Sequence, residues 1–273
     1  MNQNNNLSVL PFYDSVDEQL RKRTYAYGEV YPLYVQKGYA LPFQLMVPKP
    51  AAGQAPTVIQ TVTLTDANTG LQTSDYTNNL TIVKKEFDDY DIFVHRFTSL
   101  GGAFNAPIGR YYFQIQTNHD AYVSEVFTVV DDISPYLRIE WWDDQDLVMR
   151  DGRIVYNVTS GILYHSVVFL DTQLGMPEYE FEEEGETRDG LYFPEKMISE
   201  KTYKFSFLAP EYLLDAMRFI RMSDHIKITD RYSNEYNADT FLLTPKWQAP
   251  GMLAGVDGEF QTASVAKKIG RDF

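Results

Sequence analysis

Residues 201–222, KTYKFSFLAPEYLLDAMRFIRM, carry the pattern that decides the predicted fold. In the first half, Tyr203, Phe205 and Phe207 alternate with polar residues, which is the period of a half-buried β-strand. The second half changes to helical spacing and predicts one amphipathic helix over Pro210–Met222. Its apolar side comprises Leu213, Leu214, Met217, Phe219 and Ile220. Its charged side comprises Glu211, Asp215, Arg218 and Arg221.

Upstream of this stretch, most of the chain alternates with period two, which predicts a mainly β fold. Turn residues such as those of Asp66–Gly70 separate short strands between residues 29 and 131. The predicted strands are Val30–Val35, Ala40–Val47, Val58–Thr65, Asn79–Lys84, Asp91–Phe97, Gly109–Gln116 and Val123–Val130. Seven short strands in about 100 residues are typical of an immunoglobulin-like β-sandwich.

The boundary between two predicted domains lies at Asp131–Pro135, where two acidic residues and a proline follow the last of these strands. We therefore predict an N-terminal arm (1–28), an immunoglobulin-like sandwich (29–131) and a sandwich- or barrel-like β domain with one inserted helix (136–273). The linker is so short that we expect limited freedom between the two domains. The predicted strands of the second domain are Tyr136–Trp142, Arg153–Val158, Val167–Leu170, Lys201–Leu208, His225–Thr229, Thr240–Pro245 and Ala254–Gln261.

Composition excludes several classes of protein. The net charge is −14, from 24 basic and 38 acidic residues, so the field of the protein disfavours direct binding to nucleic acid or to anionic lipid. The absence of cysteine excludes disulfides, a thiolate zinc site and a cysteine nucleophile. No apolar run reaches the roughly 18 residues of a membrane span, and no secretory signal is visible. We expect a protein made in a cytoplasm, without a membrane partner.

Motifs for catalysis, cofactors and metals are missing from the sequence. His95, His119, His165 and His225 are scattered and lack metal-ligand spacing. Asp66, Asn68 and Gly70 resemble half of a calcium loop, but the distal glutamate is missing, so an ordinary turn is the better interpretation. We therefore predict no catalytic, cofactor or metal residues, and no enzyme.

The densest charge feature is Glu178–Asp189, with seven carboxylates in twelve residues. Such a run repels itself, and we expect a solvated loop. Two alternatives stay open: a docking surface for basic groups, or a pair of carboxylates that serves a glycosidase.

A basic cluster in the C-terminal tail carries charge opposite to that of this acidic run. It consists of Lys267, Lys268 and Arg271. We hypothesise that this tail, or the tail of a neighbouring copy, meets an acidic surface that includes Glu182, Glu183 and Glu184. Head-to-tail contacts of this kind close into rings when the rotation permits. Arg218 and Arg221, on the charged side of the helix, are further candidates to face a partner.

Trp141 and Trp142 stand beside Asp143 and Asp144 in a predicted strand. Successive side chains of a strand point to opposite faces, so one of the two tryptophans must point away from the core. The outer one is a candidate for an interface or for sugar stacking.

Several short motifs resemble a family of uncharacterised structural virion proteins from phages and prophages of Bacteroidetes, including crAss-like phages. In the second domain these motifs are Glu140–Asp143, Phe193–Lys196, Lys201–Phe205, Ala209–Leu213, Phe219–Met222 and Thr244–Trp247. In the first domain, Gly109–Phe113 and Ser124–Phe127 look like the closing strands of the immunoglobulin-like domains common in phage tail and neck proteins.

The resemblance implies a structural component of the virion, in a ring at the tail, neck or connector, that contacts copies of itself and other phage proteins. It carries no catalytic residues over to this chain. The alternatives are a host-surface or glycan-binding adhesion module and, third, a carboxylate-based glycosidase.

Overall fold

A computed structural model describes most of the chain. The described residues are 8–14, 31–38, 41, 43–77, 82–86, 89–95, 106–144, 147–148, 154–155, 158–159, 162–163, 166–189, 191–248, 253–262 and 266–269. Within these ranges β-strands predominate and a single short α-helix is present, so the predicted mainly β fold class is confirmed.

The described residues of the first unit form ten strands. They are β1 (Phe12–Asp14), β2 (Leu33–Gln36), β3 (Phe43–Pro48), β4 (Ile59–Asp66), β5 (Gln72–Asp75), β6 (Ile82–Glu86), β7 (Tyr90–His95), β8 (Gly109–Thr117), β9 (Ala121–Ser124) and β10 (Phe127–Val130). The sequence predicted neither β1 nor β5, and its single strand over Val123–Val130 is wrong, because two strands, β9 and β10, cover that segment.

Two sheets form from these strands. In the larger sheet, β8 lies between β4 on one side and the consecutive strands β9 and β10 on the other. Beyond them, β5 pairs with β4, β1 pairs with β9, and β2 pairs in parallel with β10. The smaller sheet has the order β3–β7–β6.

Aromatic side chains join the two sheets. The Phe43 ring of the smaller sheet lies 5.8 Å from that of Phe113 in the larger one, and Phe113 lies 5.4 Å from Phe127. All three side chains are almost completely buried. Burying a side chain of this size stabilises a fold by about 2–3 kcal/mol, so this cluster is the centre of the first core.

Part of the predicted N-terminal arm lies in this core. Leu10 and Phe12 are 0% and 1% exposed, and the Phe12 ring lies 4.9 Å from that of Phe43. Residues 8–14 of the arm are therefore packed against the sandwich of their own chain. Residues 1–7 and 15–28 of the predicted arm lie outside the described residues.

The second unit begins at Leu137. Its strands are β11 (Leu137–Trp142), β12 (Leu147–Val148), β13 (Ile154–Val155), β14 (Val158–Thr159), β15 (Ile162–Leu163), β16 (Ser166–Leu170), β17 (Glu178–Arg188), β18 (Leu191–Ala209), β19 (His225–Thr229), β20 (Glu235–Lys246), β21 (Ala254–Thr262) and β22 (Ala266–Ile269). Four of them form two small ribbons, β12–β13 and β14–β15.

The other eight strands form one antiparallel sheet with the order β16–β11–β19–β20–β21–β18–β17, and β22 also pairs with β18. The chain that follows β16 returns to the far side of this sheet. Thr172 Oγ1 donates to the carbonyl of Ser206 at 2.6 Å, and Gly175 N–H donates to that of Lys204 at 2.7 Å. The sheet thus curls toward closure, which gives the unit a barrel-like shape.

The α-helix is shorter than the sequence predicted. Helix α1 spans Glu211–Met217 and a 3-10 turn follows at Ile220–Met222, so the prediction of one helix over Pro210–Met222 is wrong at its C-terminal end. Hydrogen bonds to the third residue back, such as Met222 N–H to Phe219 C=O at 2.9 Å, tighten the chain there. This tighter turn buries both Phe219 and Ile220, and Tyr212 is also buried.

The two units contact each other next to the predicted linker. The rings of Tyr34 and Tyr136 are 4.2 Å apart, and Gln173 Nε2 donates to the carbonyl of Pro135 at 2.6 Å. On the Tyr34 side, burial raises the pKa of the neighbouring Tyr31. Buried side chains of both units belong to one continuous apolar cluster.

Candidate assembly surface

A long β-hairpin formed by β17 and the first part of β18 is the most prominent surface feature. Glu178 pairs with Thr202, and the pairing continues to Arg188 opposite Leu191. The second part of β18, from Thr202 to Ala209, pairs with β21, which lies on the other side of β18 from β17. One strand therefore belongs to the barrel-like sheet at one end and to the hairpin at the other.

The acidic run lies in this hairpin, so the prediction of a loop is wrong, although most of its described side chains are exposed to solvent as expected. Eleven of its twelve residues form β17, which carries six glutamates. The missed signal is the alternation of Glu178, Glu180 and Glu182 with Tyr179 and Phe181, which has the period of a strand. Pairing with β18 supplies the backbone hydrogen bonds that make a strand of this composition possible.

Lysines of β18 contact this strand. Lys204 Nζ lies 2.6 Å from Glu178 Oε2, and this hydrogen bond raises the pKa of Lys204. Lys201 Nζ lies 5.8 Å from the centre of the Tyr179 ring, and its hydrogen bond with Tyr203 raises its pKa. Both lysines therefore stay charged beside β17.

The hairpin also exposes aromatic side chains. Tyr179 is 59% exposed and Phe181 is 70% exposed. Tyr179 lies opposite Lys201, and Phe181 lies opposite Ser199. These two β18 residues are on the face of the strand that points into the core further along, so both aromatic rings are on that face as well. The core face of the sheet thus continues onto the hairpin, where these two rings meet solvent. Sequence reasoning missed these two residues because it treated the run as charge alone.

The basic tail lies on the other side of β18. Strand β22 contains Lys267, which stands opposite Ile198, and Lys268, which stands opposite Met197. The same two residues of β18 stand opposite Glu182 and Glu183 on its other edge. The acidic and basic strands of one chain are thus two strand spacings apart, which is about 10 Å. Glu184 stands opposite Lys196, and Arg271 lies outside the described residues.

The helix arginines take different positions. Both are exposed, and Arg218 stays on its own helix, 4.0 Å from Asp215 and over the Phe219 ring. Arg221 instead lines a shallow groove of about 290 Å³ together with Glu180, Lys204 and Glu259. Arg221 therefore shares a groove with Glu180 of the acidic strand, whereas Arg218 does not line this groove.

The tryptophan pair divides between the core and the surface as predicted. Trp141 is 4% exposed, whereas Trp142 is half-buried and stacks on His225 with 5.2 Å between ring centres. His225 Nε2 lies 3.0 Å from Asp144, which fixes the ring over Trp142. One face of the outer tryptophan is therefore already covered by a side chain of the same protein.

Next to this pair, two aspartates join β11 to the start of β19. Asp143 accepts a hydrogen bond from the backbone N–H of Asp224 at 2.7 Å, and Asp224 accepts one from that of Asp144 at 3.1 Å. Burial raises the pKa of Asp143 and outweighs the opposite effect of the Asp224 N–H. This arrangement of backbone donors indicates a structural link between the strands.

The candidate calcium loop is a turn between β4 and β5. The Asp66 carboxylate accepts hydrogen bonds from the backbone N–H groups of Asn68 and Thr69, each at 2.8 Å, and Gly70 has a φ of +69°. The Asp66 Oδ1 atom therefore accepts hydrogen bonds from the turn itself. In the described part of the chain, no group of three or more His, Asp or Glu residues is placed to hold a metal ion. Nor do these residues include a helix of the length and apolarity needed to cross a membrane.

Comparison with known proteins gives no relative: no family model, no curated protein and no solved structure matches the chain. The resemblance to phage virion proteins stays a prediction from short motifs.

Proposed function

We propose that the protein is a structural component of a phage virion that assembles with copies of itself into a ring at the tail, neck or connector. The observation that carries the proposal is the β17–β18 hairpin, which exposes Tyr179 and Phe181 on the face that continues the core. Tyrosine and phenylalanine are enriched at protein interfaces, so these two neighbouring exposed rings support a contact with another protein chain. The phage motifs quoted above supply the virion context, with assembly partners of viral origin and synthesis in the host bacterial cytoplasm.

The first unit supports the same proposal through its strand order. We assign it as an immunoglobulin-like sandwich because β4, β8 and β10 stand in the order of strands C, F and G, and β3, β7 and β6 in the order of B, E and D. Such sandwiches are a common scaffold for extracellular and viral interaction surfaces, but the fold by itself does not define a function.

Self-association is the first property to test. Size-exclusion chromatography with light scattering, and negative-stain images, should show concentration-dependent oligomers or rings. Phe181→Ser should weaken association at least tenfold, because it removes an exposed aromatic side chain from the proposed contact. Leu71→Ser is the matched control, since Leu71 is 67% exposed on the turn after β4. A protein that stays monomeric at high concentration would contradict the proposal.

The virion context has its own test. The genes beside the one encoding this protein should include portal, tail or adhesin genes, and an antibody against the protein should label purified particles. Retention of a glycan on an array by a monomer would favour the adhesion alternative. Glycan hydrolysis that is lost when two carboxylates are neutralised would favour the glycosidase.

A further inference from the structure

Strands β17, β18 and β22 form a three-stranded part of the eight-stranded sheet, with an acidic edge strand on one side and a basic edge strand on the other. One edge is β17, with six glutamates and one arginine, and the other is β22, with Lys267 and Lys268. Among the described residues, each of these strands pairs only with β18. The backbone groups on the outer side of an edge strand form a ready template for another strand.

Contact between the two charged strands of one chain is prevented by β18. Because β18 lies between them, the outer edges of β17 and β22 point in opposite directions within the sheet. The acidic edge of one copy can therefore pair only with the basic edge of a different copy.

Pairing between two β17 strands is disfavoured by the same charges. A two-fold dimer through this edge would place six glutamates of one copy beside six of the other, and like charges directly opposite each other destabilise strand pairing. A heterologous contact between an acidic edge and a basic edge avoids this repulsion, and contacts of that type form rings or filaments.

We propose that β17 of one copy pairs with β22 of the next copy, so that this part of the sheet continues from one copy into the next. Strands β17 and β22 are both antiparallel to β18 and therefore run in the same direction. Rotation about an axis along the strands preserves that direction, so the new pairing is parallel. This inference names the contact of the ring and rests on the proposed function.

The register supports this geometry. Glu182 and Lys267 both stand opposite Ile198, and Glu183 and Lys268 both stand opposite Met197. The acidic and basic residues thus lie at the same height along the strands. A rotation without translation brings the glutamates of one copy to the level of the lysines of the next.

Introduced cysteines test the pairing directly, because the native chain contains none. We would place one cysteine at Lys267 and the second at Glu180, Glu182 or Glu184, in three variants. Positions two strands apart, at about 10 Å, exceed the Cα separation of about 4.4–6.8 Å that a disulfide needs. Oxidation should therefore join different copies and give a ladder of covalent multimers in at least one variant.

Single-cysteine variants separate the alternatives. Glu182→Cys alone should remain covalently monomeric after oxidation, and an efficient covalent dimer from it would indicate pairing between two β17 strands and overturn the proposal. Wild-type oligomers without a ladder in any of the three double variants would overturn the edge pairing but leave the proposed function standing. A monomeric wild-type protein would overturn both.

Charge reversal gives an independent readout that needs no oxidation. Lys267→Glu with Lys268→Glu should weaken association at least tenfold, and adding Glu182→Lys and Glu183→Lys should restore it. Lys37→Glu with Arg231→Glu changes the net charge equally on other surfaces and should leave association unchanged. Circular dichroism confirms that each variant is folded. Equal association of all these variants would contradict the proposal.

Discussion

At the residue scale, Asp91 is the most completely buried charge described in the first unit. Its side chain is 1% exposed, and its carboxylate oxygens lie 2.7 Å from Lys49 Nζ and 3.1 Å from Lys84 Nζ. Burial lowers the pKa of Lys84, but hydrogen bonds to Glu86 and Asp91 outweigh this effect and the pKa is raised. The two lysines thus provide the positive charge that a buried carboxylate requires.

Replacing Asp91 should therefore be costly. We expect Asp91→Ala to lower the free energy of unfolding by about 2–3 kcal/mol, because it removes the acceptor that two partly buried lysines share and leaves only Lys84 with another carboxylate, Glu86. Urea denaturation measures the change. Asp131→Ala is the control: the Lys37–Asp131 pair is exposed, at 3.5 Å, and such pairs contribute about 0–1 kcal/mol. Similar losses for the two variants would contradict this account.

Asp143 presents the opposite case, a carboxyl whose burial favours its protonated form. Its folded-state pKa lies above the unfolded value of about 3.9, so its contribution to stability is present below that value and is lost as the pH rises through the folded pKa. Asp143→Asn keeps an acceptor for the Asp224 N–H and should abolish this loss.

We therefore expect Asp143→Asn to be at least as stable as the wild type at pH 7, with its advantage shrinking toward pH 4. Asp143→Ala should be about 1–2 kcal/mol less stable at both values, because the Asp224 N–H loses its acceptor. Thermal unfolding at several pH values checks both expectations. An asparagine variant that is destabilised most at pH 7 would show that the ionised carboxylate is required.

At the scale of elements, the inner face of the barrel-like sheet depends on a glycine opposite an aromatic ring. Gly258 of β21 pairs with Phe205 of β18, and a Cβ added to Gly258 would lie 2.4 Å from the Phe205 ring. The ring thus occupies the place of the missing side chain. Phe205 itself is 4% exposed and stacks on Phe207, so it has little room to move.

Gly258→Ala should consequently lower the free energy of unfolding by about 1–3 kcal/mol, which is the usual cost of overpacking a core. Gly255→Ala, in the same strand, is the matched control, since nothing lies within 4 Å of a Cβ added there. Chemical denaturation of both variants measures the difference. Equal stability of the two variants would show that the Phe205 ring can move aside.

At the scale of the whole molecule, many carboxylates are stabilised in their ionised form. Hydrogen bonds lower the pKa of Asp66 through Thr69, of Asp75 through Thr77 and of Asp132 through Ser134. Hydrogen bonds from Lys246 and Ser206 lower the pKa of Asp257. The pKa of Asp143 is shifted in the opposite direction, but more carboxylates have a lowered pKa than a raised one among these groups.

Acidification should therefore destabilise the protein. A group with a lowered folded-state pKa contributes stability above its unfolded pKa of about 3.9, and this is lost as the pH falls through the folded value. The thermal unfolding midpoint should fall steadily between pH 5 and pH 2.5. Asp66→Asn should show a smaller fall, because it removes one of these groups. A midpoint that is constant over this range would contradict the assignment.

The strands and turns that depend on neighbouring residues could be predicted from the sequence. The alternation of Tyr203, Phe205 and Phe207 predicted a strand, the Asp66–Gly70 segment predicted a turn, and the Trp141–Trp142 pair predicted one inner and one outer ring. In each case the period of the side chains or the chemistry of a few adjacent residues carries the information.

The partners of these elements could not be predicted in the same way. The acidic run became an edge strand because β18 lies beside it, and β22 lies on the opposite side of β18 because it follows β21, which pairs with the same strand. Phe12 of β1 and the preceding Leu10 are apolar, but the sequence predicts an arm here, because the partner strand β9 is about 110 residues away in the chain. The sequence by itself determined the β period, the turns and the excess of acidic charge, since these are local or additive properties. Only the tertiary structure decided which edges are left open and which charges they carry, because strand pairing joins segments that are distant in the chain.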